Sequence, residues 1–122
     1  MTPEELLAEW GAAWITKDPA ERRRRFEACT TEDVEFIPPD DRPVFRGREA
    51  LIAHVDDYTA PWPDGVGAVV DGPVETHHGW SRALIRWKFP RQDAVGCEIM
   101  RVAGGRIAAM LVFADAYVET QR

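Results

Sequence analysis

The stretch "GWSRALIRWKF", residues 79–89, alternates with period two beyond its glycine. Ser81, Ala83, Ile85, Trp87 and Phe89 share one face, and Trp80, Arg82, Leu84, Arg86 and Lys88 share the other. One face is apolar and the other largely basic, which marks a strand that covers a core on one side. Reading outward, the same period runs from residue 67 almost to the end. Four strands are predicted, at about 67–77, 80–89, 94–103 and 106–117, with Gly79, Gly104 and Gly105 between them. "AGGR", 103–106, has the chemistry of a tight hairpin turn. Gly72–Pro73 predicts a bulge in the first of these strands.

Upstream the period is helical, and two helix starts share one grammar. Thr2, Pro3 and Glu5 supply an N-cap, a proline at the first helical position and an acid three residues after the cap; Asp18, Pro19 and Glu21 repeat the pattern. The first helix is predicted to reach about Ile15, with Leu6, Leu7, Trp10, Ala13 and Trp14 as its apolar stripe. The second runs from about Pro19 to Cys29, with Phe26 and Cys29 facing inward. "DVEFIP", 33–38, reads as a short strand ended by Pro38–Pro39, and "DDRP", 40–43, as a loop. A third helix follows at roughly 47–59, stopped before Pro61, with Leu51, Ile52, Val55 and Tyr58 on its buried side. "APWPDG", 60–65, is a proline-rich loop that carries Trp62 to the rim of the fold. Helix, helix, strand, helix and a curved antiparallel meander make one α+β domain over residues 1–122, with the helices on one sheet face.

Composition bounds the partners. The chain has 122 residues, of which 45% are hydrophobic and 30% charged, which suffices for one domain with a packed core. A net charge of -6 argues against nucleic acid or an anionic membrane as the main partner. "RRRR", 22–25, does not reverse this: consecutive helical residues point in different directions, and nearby acids give them partners. Cys29 and Cys97 form no metal or redox motif, so a reducing, cytoplasmic setting is expected. No apolar run near 18 residues and no signal-peptide pattern occurs. Both parities of the last strand are apolar, Met110, Val112 and Ala114 on one and Leu111 and Phe113 on the other. A covered outer sheet face, and hence a homodimer built sheet to sheet, is the economical expectation.

The order of elements, together with "FRGREALIAHVDDY" (45–58), "ALIRWKF" (83–89) and "GCEIMRVAGGRIAAMLVFAD" (96–115), resembles the nuclear transport factor 2-like superfamily, and within it the SnoaL-like and ketosteroid-isomerase-like branch. The resemblance covers nearly the whole chain. It implies a cone, in which the curved sheet wraps round the helices and encloses a pocket. Members include cyclases, isomerases, epoxide hydrolases and dehydratases, and others that only bind, so the fold leaves the function to the site. Isomerase-like members carry a base on the first strand where this chain has Ile37, and a hydrogen-bond-donating tyrosine on the first helix where it has Trp10. Their acid on the third meander strand corresponds to Glu98. A protonated carboxyl there donates a hydrogen bond to a developing oxyanion.

Register gives a separate reading of the same residues. If Glu98 faces the pocket, Met100 and Val102 do too, and burial raises its pKa. The other possibility is an exposed carboxylate paired with Arg82, Arg86 or Lys88. Adjacent histidines in a strand face opposite ways, so His77 and His78 do not chelate one metal together, and no spaced set of ligands completes a site. His78 has the pocket parity and is a candidate acid or base, or a structural histidine; His77 has the solvent parity. His54 looks toward the cavity mouth one turn before Tyr58, or lies on the helix surface. Asp115 faces in only if Leu111 and Phe113 do. Trp10, Trp14, Trp62, Trp87, Met100 and Met110 are the candidate walls.

Two functional classes follow. One is an enzyme that acts on a small apolar molecule by proton transfer next to a carbonyl, with Glu98 as acid and His78 or Asp115 as partner, and no metal or organic cofactor implied. The other is a non-catalytic dimeric domain that binds a ligand or partner, or whose pocket is simply core. A cavity of roughly 300 Å³ or more argues for a ligand.

Overall fold

The computed structural model describes residues 1–114. Three helices, α1 (Pro3–Ile15), α2 (Pro19–Cys29) and α3 (Arg48–Thr59), accompany six strands. The strands are β1 (Thr30–Ile37), β2 (Phe45–Arg46), β3 (Gly67–His77), β4 (Trp80–Lys88), β5 (Asp93–Ala103) and β6 (Arg106–Ala114). They form a single sheet in the order β2-β1-β6-β5-β4-β3, and the fold is α+β as expected. The sheet is mixed rather than wholly antiparallel, because β1 runs parallel to β6 while every other pair is antiparallel. Parallel neighbours need a long connection, and here it is the whole stretch from α3 through the meander. The short β2 was not expected from the sequence; it pairs Phe45 and Arg46 with Phe36 and Glu35 in what read as loop and helix start.

Local chemistry explains the helix ends. Thr2 and Glu5 close a reciprocal capping box on α1, and Asp18 accepts from the Glu21 backbone N–H at the start of α2. Gly47 takes φ +90 and donates its backbone N–H to Val34, so only a residue without a Cβ leads easily into α3. Arg48 then ties α3 to the start of β1 through the Thr30 hydroxyl and carbonyl. The arginine run is mostly paired outward as read: Arg23 with Glu49, Arg24 with Glu21, and Arg25 with Glu9 and Glu21. Arg22 departs from that reading. It is buried and donates to the otherwise orphaned carbonyls of Ala13 and Trp14 at the end of α1, to Thr59 of α3 and to Asp56. One side chain therefore clamps three helices.

The core lies between the helices and the inner sheet face. Leu6, Leu7, Trp10 and Phe26 meet Ile85, Met100, Ile107 and Met110 there, all essentially without exposure. Strand parity is as read: Ser81, Ala83 and Ile85 are buried, while Trp80, Arg82 and Leu84 are exposed. The expected bulge occurs at Gly72, where Asp71 to Glu75 of β3 spans only Leu84 to Arg82 of β4, so the parity of β3 survives. Two two-residue hairpins, His78–Gly79 and Gly104–Gly105, have positive φ at both positions, which is the type I′ turn that matches strand twist. No helix among the described residues is long and apolar enough to cross a membrane.

Candidate functional site

A cavity of about 540 Å³ opens between α1, α3 and the inner face of the far end of the sheet. Its walls are aromatic. Trp14 of α1, Trp62 of the loop after α3 and Trp87 of β4 form a cluster with ring centroids 6.0–6.4 Å apart, and Phe89 packs on Trp62 at 5.0 Å. Lys17 holds the Trp62 loop in place by donating to the Trp62 carbonyl and pairing with Asp64.

Glu98 is the acid of this cavity. Alternation turns it inward from β5, opposite Ala83 of β4 and Val112 of β6. It is 2% exposed, so it is not the exposed carboxylate of the alternative reading. Burial pushes its pKa up to about 8, against a smaller opposing effect of the Trp10 indole N–H. That indole stays too far or too oblique for an ordinary hydrogen bond, and Glu98 Oε2, Trp10 Nε1 and Trp14 Nε1 are all buried without a partner. Gly96 makes the position possible: a Cβ there would sit 2.8 Å from Glu98 Oε2. At neutral pH the cavity wall therefore carries a neutral carboxylic acid whose Oε2 is buried without a hydrogen-bond partner among the described residues.

The mouth is polar. Asp40 and Arg42, from the loop between β1 and β2, line it together with His54 and Tyr58 of α3. Arg42 binds both carboxylate oxygens of Asp40, which holds that carboxyl below its usual range, and the Arg42 guanidinium lies 5.0 Å from the Tyr58 ring centroid. His54 is buried and stacks on Phe45 at 4.1 Å. Burial first, and the nearby Arg42 charge second, lower its pKa below the ordinary 6.5.

The structure thus brings together Trp14, His54, Tyr58, Trp62, Trp87 and Glu98 on one cavity. Other candidates lie elsewhere. His78 is not on the inner strand face: β3 ends at His77, and His78 takes φ 51 in the exposed hairpin turn, so the strand parity used to place it no longer applies. Met100 and Met110 share the inner parity but sit in the packed core rather than on the lining. Trp10 is likewise fully buried, close to Glu98 but off the lining. Tyr58, read as buried, is 43% exposed, and His54 takes the inward place on α3 instead. Asp115 lies outside the described residues. Ile37 has the outer parity, opposite Leu111; the cavity residues at this end of β1 are Phe36 and Pro38, and neither is ionisable. Asp40, Arg42 and Gly96 were not singled out from sequence, while Phe89 lies on the lining with Trp87, whose strand face it shares. The polar "DDRP" next to a strand end was the available signal for the first two. Among the described residues no group of three or more His, Cys, Asp or Glu side chains could hold a metal ion.

Comparison with known proteins bears on the family. The SnoaL-like domain profile matches residues 7–110. No curated protein matches the sequence. Among solved structures, a protein from Agrobacterium tumefaciens provisionally assigned as an isomerase of the SnoaL-like family superposes with TM-score 0.79 at 24% identity, covering 94% of this chain and 99% of that one. A provisionally assigned SnoaL-like polyketide cyclase from Jannaschia sp. gives 0.71 at 15%, covering 98% and 93%. A protein from Kribbella flavida provisionally assigned as a ketosteroid isomerase gives 0.69 at 14%, covering 92% and 76%. With the profile spanning most of its length and its helices and curved sheet repeated in these structures, the chain belongs to the SnoaL-like domain family.

Proposed function

We propose that this chain is a single-domain, cofactor-free protein that takes a small, mostly apolar carbonyl compound into the aromatic cavity and supports proton transfer next to that carbonyl. The observation that carries the reading is the buried Glu98 carboxyl, unpartnered at Oε2 on the wall of a cavity large enough for a ligand. As a neutral acid it donates a hydrogen bond to the carbonyl oxygen, and that bond strengthens as negative charge develops on the oxygen. The isomerase and cyclase assignments of the structural relatives agree with this chemistry. One observation favours plain binding instead: β1 brings no ionisable side chain to the cavity.

The test is the pH dependence of binding. A thermal-shift screen of bicyclic and polycyclic ketones should raise the stability of the wild type by about 2.7 kcal/mol at a hundredfold excess over Kd. Affinity should fall as pH rises through about 8, where Glu98 ionises, and Glu98→Gln should bind with no such fall. Ketones that bind both proteins with the same pH profile would remove Glu98 from the site.

The outer sheet face belongs to the same proposal. Leu84, Cys97 and Phe113 stand in one row across β4, β5 and β6, with Leu84 41% and Phe113 57% exposed, and the ion pairs Arg82–Glu75 and Arg86–Asp71 flank them. A second copy of the chain is the proposed cover. The cytoplasmic setting expected from the cysteines is also part of this reading.

A further inference from the structure

Proton transfer needs a group that takes the proton as well as one that stabilises the oxygen. Besides Glu98, the ionisable residues that line the cavity among the described residues are Asp40, Arg42, His54 and Tyr58. Asp40 is committed to Arg42 through both carboxylate oxygens and is exposed at the mouth, which makes it a poor base. Arg42 has no lone pair to offer. Tyr58 lies half in solvent with the Arg42 guanidinium at its ring.

His54 differs from all of these. It is 9% exposed and is held by rings rather than by hydrogen bonds: Phe45 at 4.1 Å, Tyr58 at 5.5 Å, Phe36 at 5.6 Å and Trp14 at 6.0 Å. No hydrogen bond from a described residue acts on its imidazole. Stacking fixes the plane of the ring and leaves its nitrogens uncommitted. Its α3 wall is distinct from the β5 wall that carries Glu98, so a ligand in the cavity lies between the two.

We propose that His54 is the catalytic base of this site, removing the carbon-bound proton next to the carbonyl whose oxygen Glu98 hydrogen-bonds. The proposal rests on the reading of Glu98 given above. In the step, the C–H bond breaks and its proton goes to an imidazole nitrogen. The C–H electron pair becomes the new C=C bond, and the carbonyl π pair moves to the oxygen, where Glu98 donates to it. The imidazolium then returns the proton, to the same carbon for exchange or to a conjugated carbon for isomerisation. No oxidant, reductant or metal enters the balance.

The charged neighbours suit the role. Arg42, from the loop after β1, disfavours the imidazolium; Asp40 from the same loop and Asp57 on α3 oppose it more weakly. Phe36 of β1, Phe45 of β2 and Trp14 of α1 carry no charge. The imidazole is therefore neutral at neutral pH while Glu98 is protonated, the pairing of states a base and an acid need. Activity should form a bell, rising with a limb below 6.5 set by His54 and falling above about 8 as Glu98 ionises.

The experiment follows α-proton exchange of 2-tetralone in D₂O by NMR, with binding measured in parallel by quenching of tryptophan fluorescence. Wild type should accelerate exchange over buffer. His54→Gln should retain binding within a few-fold and lose at least about a hundredfold in exchange rate, together with the acidic limb. If 2-tetralone binds to the wild type without faster exchange, or if His54→Gln exchanges like wild type, His54 is not the base and the Glu98 reading stands. If 2-tetralone does not bind at all, the carbonyl-pocket reading fails and the base falls with it. A measurement free of any change at His54 completes the test. The chain has three histidines, so His77→Gln/His78→Asn leaves His54 alone, and its imidazole resonance must report a neutral ring at neutral pH that shifts on adding 2-tetralone. A charged ring at neutral pH overturns the proposal.

Discussion

Glu98 places a carboxyl where water cannot solvate its charge, and folding stability should record this. Its pKa is about 8 in the folded chain against an ordinary 4.5, so between those values the folded state holds a proton that the unfolded state has lost. Stability is then fully present below 4.5 and declines as pH rises toward about 8, by up to about 1.4 kcal/mol per pH unit. Glu98→Gln, which stays neutral, should match the wild type near pH 4.5 and exceed it by several kcal/mol at pH 8. Urea unfolding at the two pH values measures the difference, and parallel profiles for the two proteins would contradict the assignment. Alternation left the facing of Glu98 open; that it shares a face with Met100 and Val102 was legible, because strand parity is a local property. The burial of His54 and exposure of Tyr58 were not. Both lie on the same side of one helix, and only the seating of Phe45, Phe36 and Trp14 around His54 separates them.

At the level of elements, capping residues, period and glycines marked the three helices and β3, β4 and β5 close to their observed ends, while β1 begins at Thr30 rather than at about 33. What they did not mark is where a strand stops and a turn begins. His78 shared the inner parity of β3, but the chain reverses there, with His78 at φ 51 and Gly79 at φ 80. A histidine in this left-handed conformation costs more than an asparagine, which is favoured before glycine in type I′ turns. His78→Asn should raise stability by about 0.5 kcal/mol in urea unfolding and leave 2-tetralone binding unchanged. A loss of binding would return His78 to the site. The short β2 and the parallel β1–β6 pair escaped the sequence for a related reason: two residues carry no period, and parallel pairing joins segments with no turn between them.

The whole molecule leaves an apolar row on its outer face, and a second copy is the cover proposed for it. Phe113→Lys, at the most exposed position of the row, should shift the chain from dimer to monomer in sedimentation velocity while leaving the far-UV spectrum unchanged. An unchanged sedimentation coefficient would send the interface elsewhere. At this scale the division of information is physical. Local periodicity, caps and turn chemistry act over a few residues, and so the sequence by itself determined the α+β class, the order of the helices and long strands, and which residues of each meander strand share a face. The cavity is made by contacts between residues far apart in the chain. Only the tertiary structure decided that Trp14, Trp62 and Trp87 meet, that Asp40 is spent on Arg42, that Met100 and Met110 sit in the packed core, and that a neutral acid on β5 shares one cavity with an uncommitted imidazole on α3.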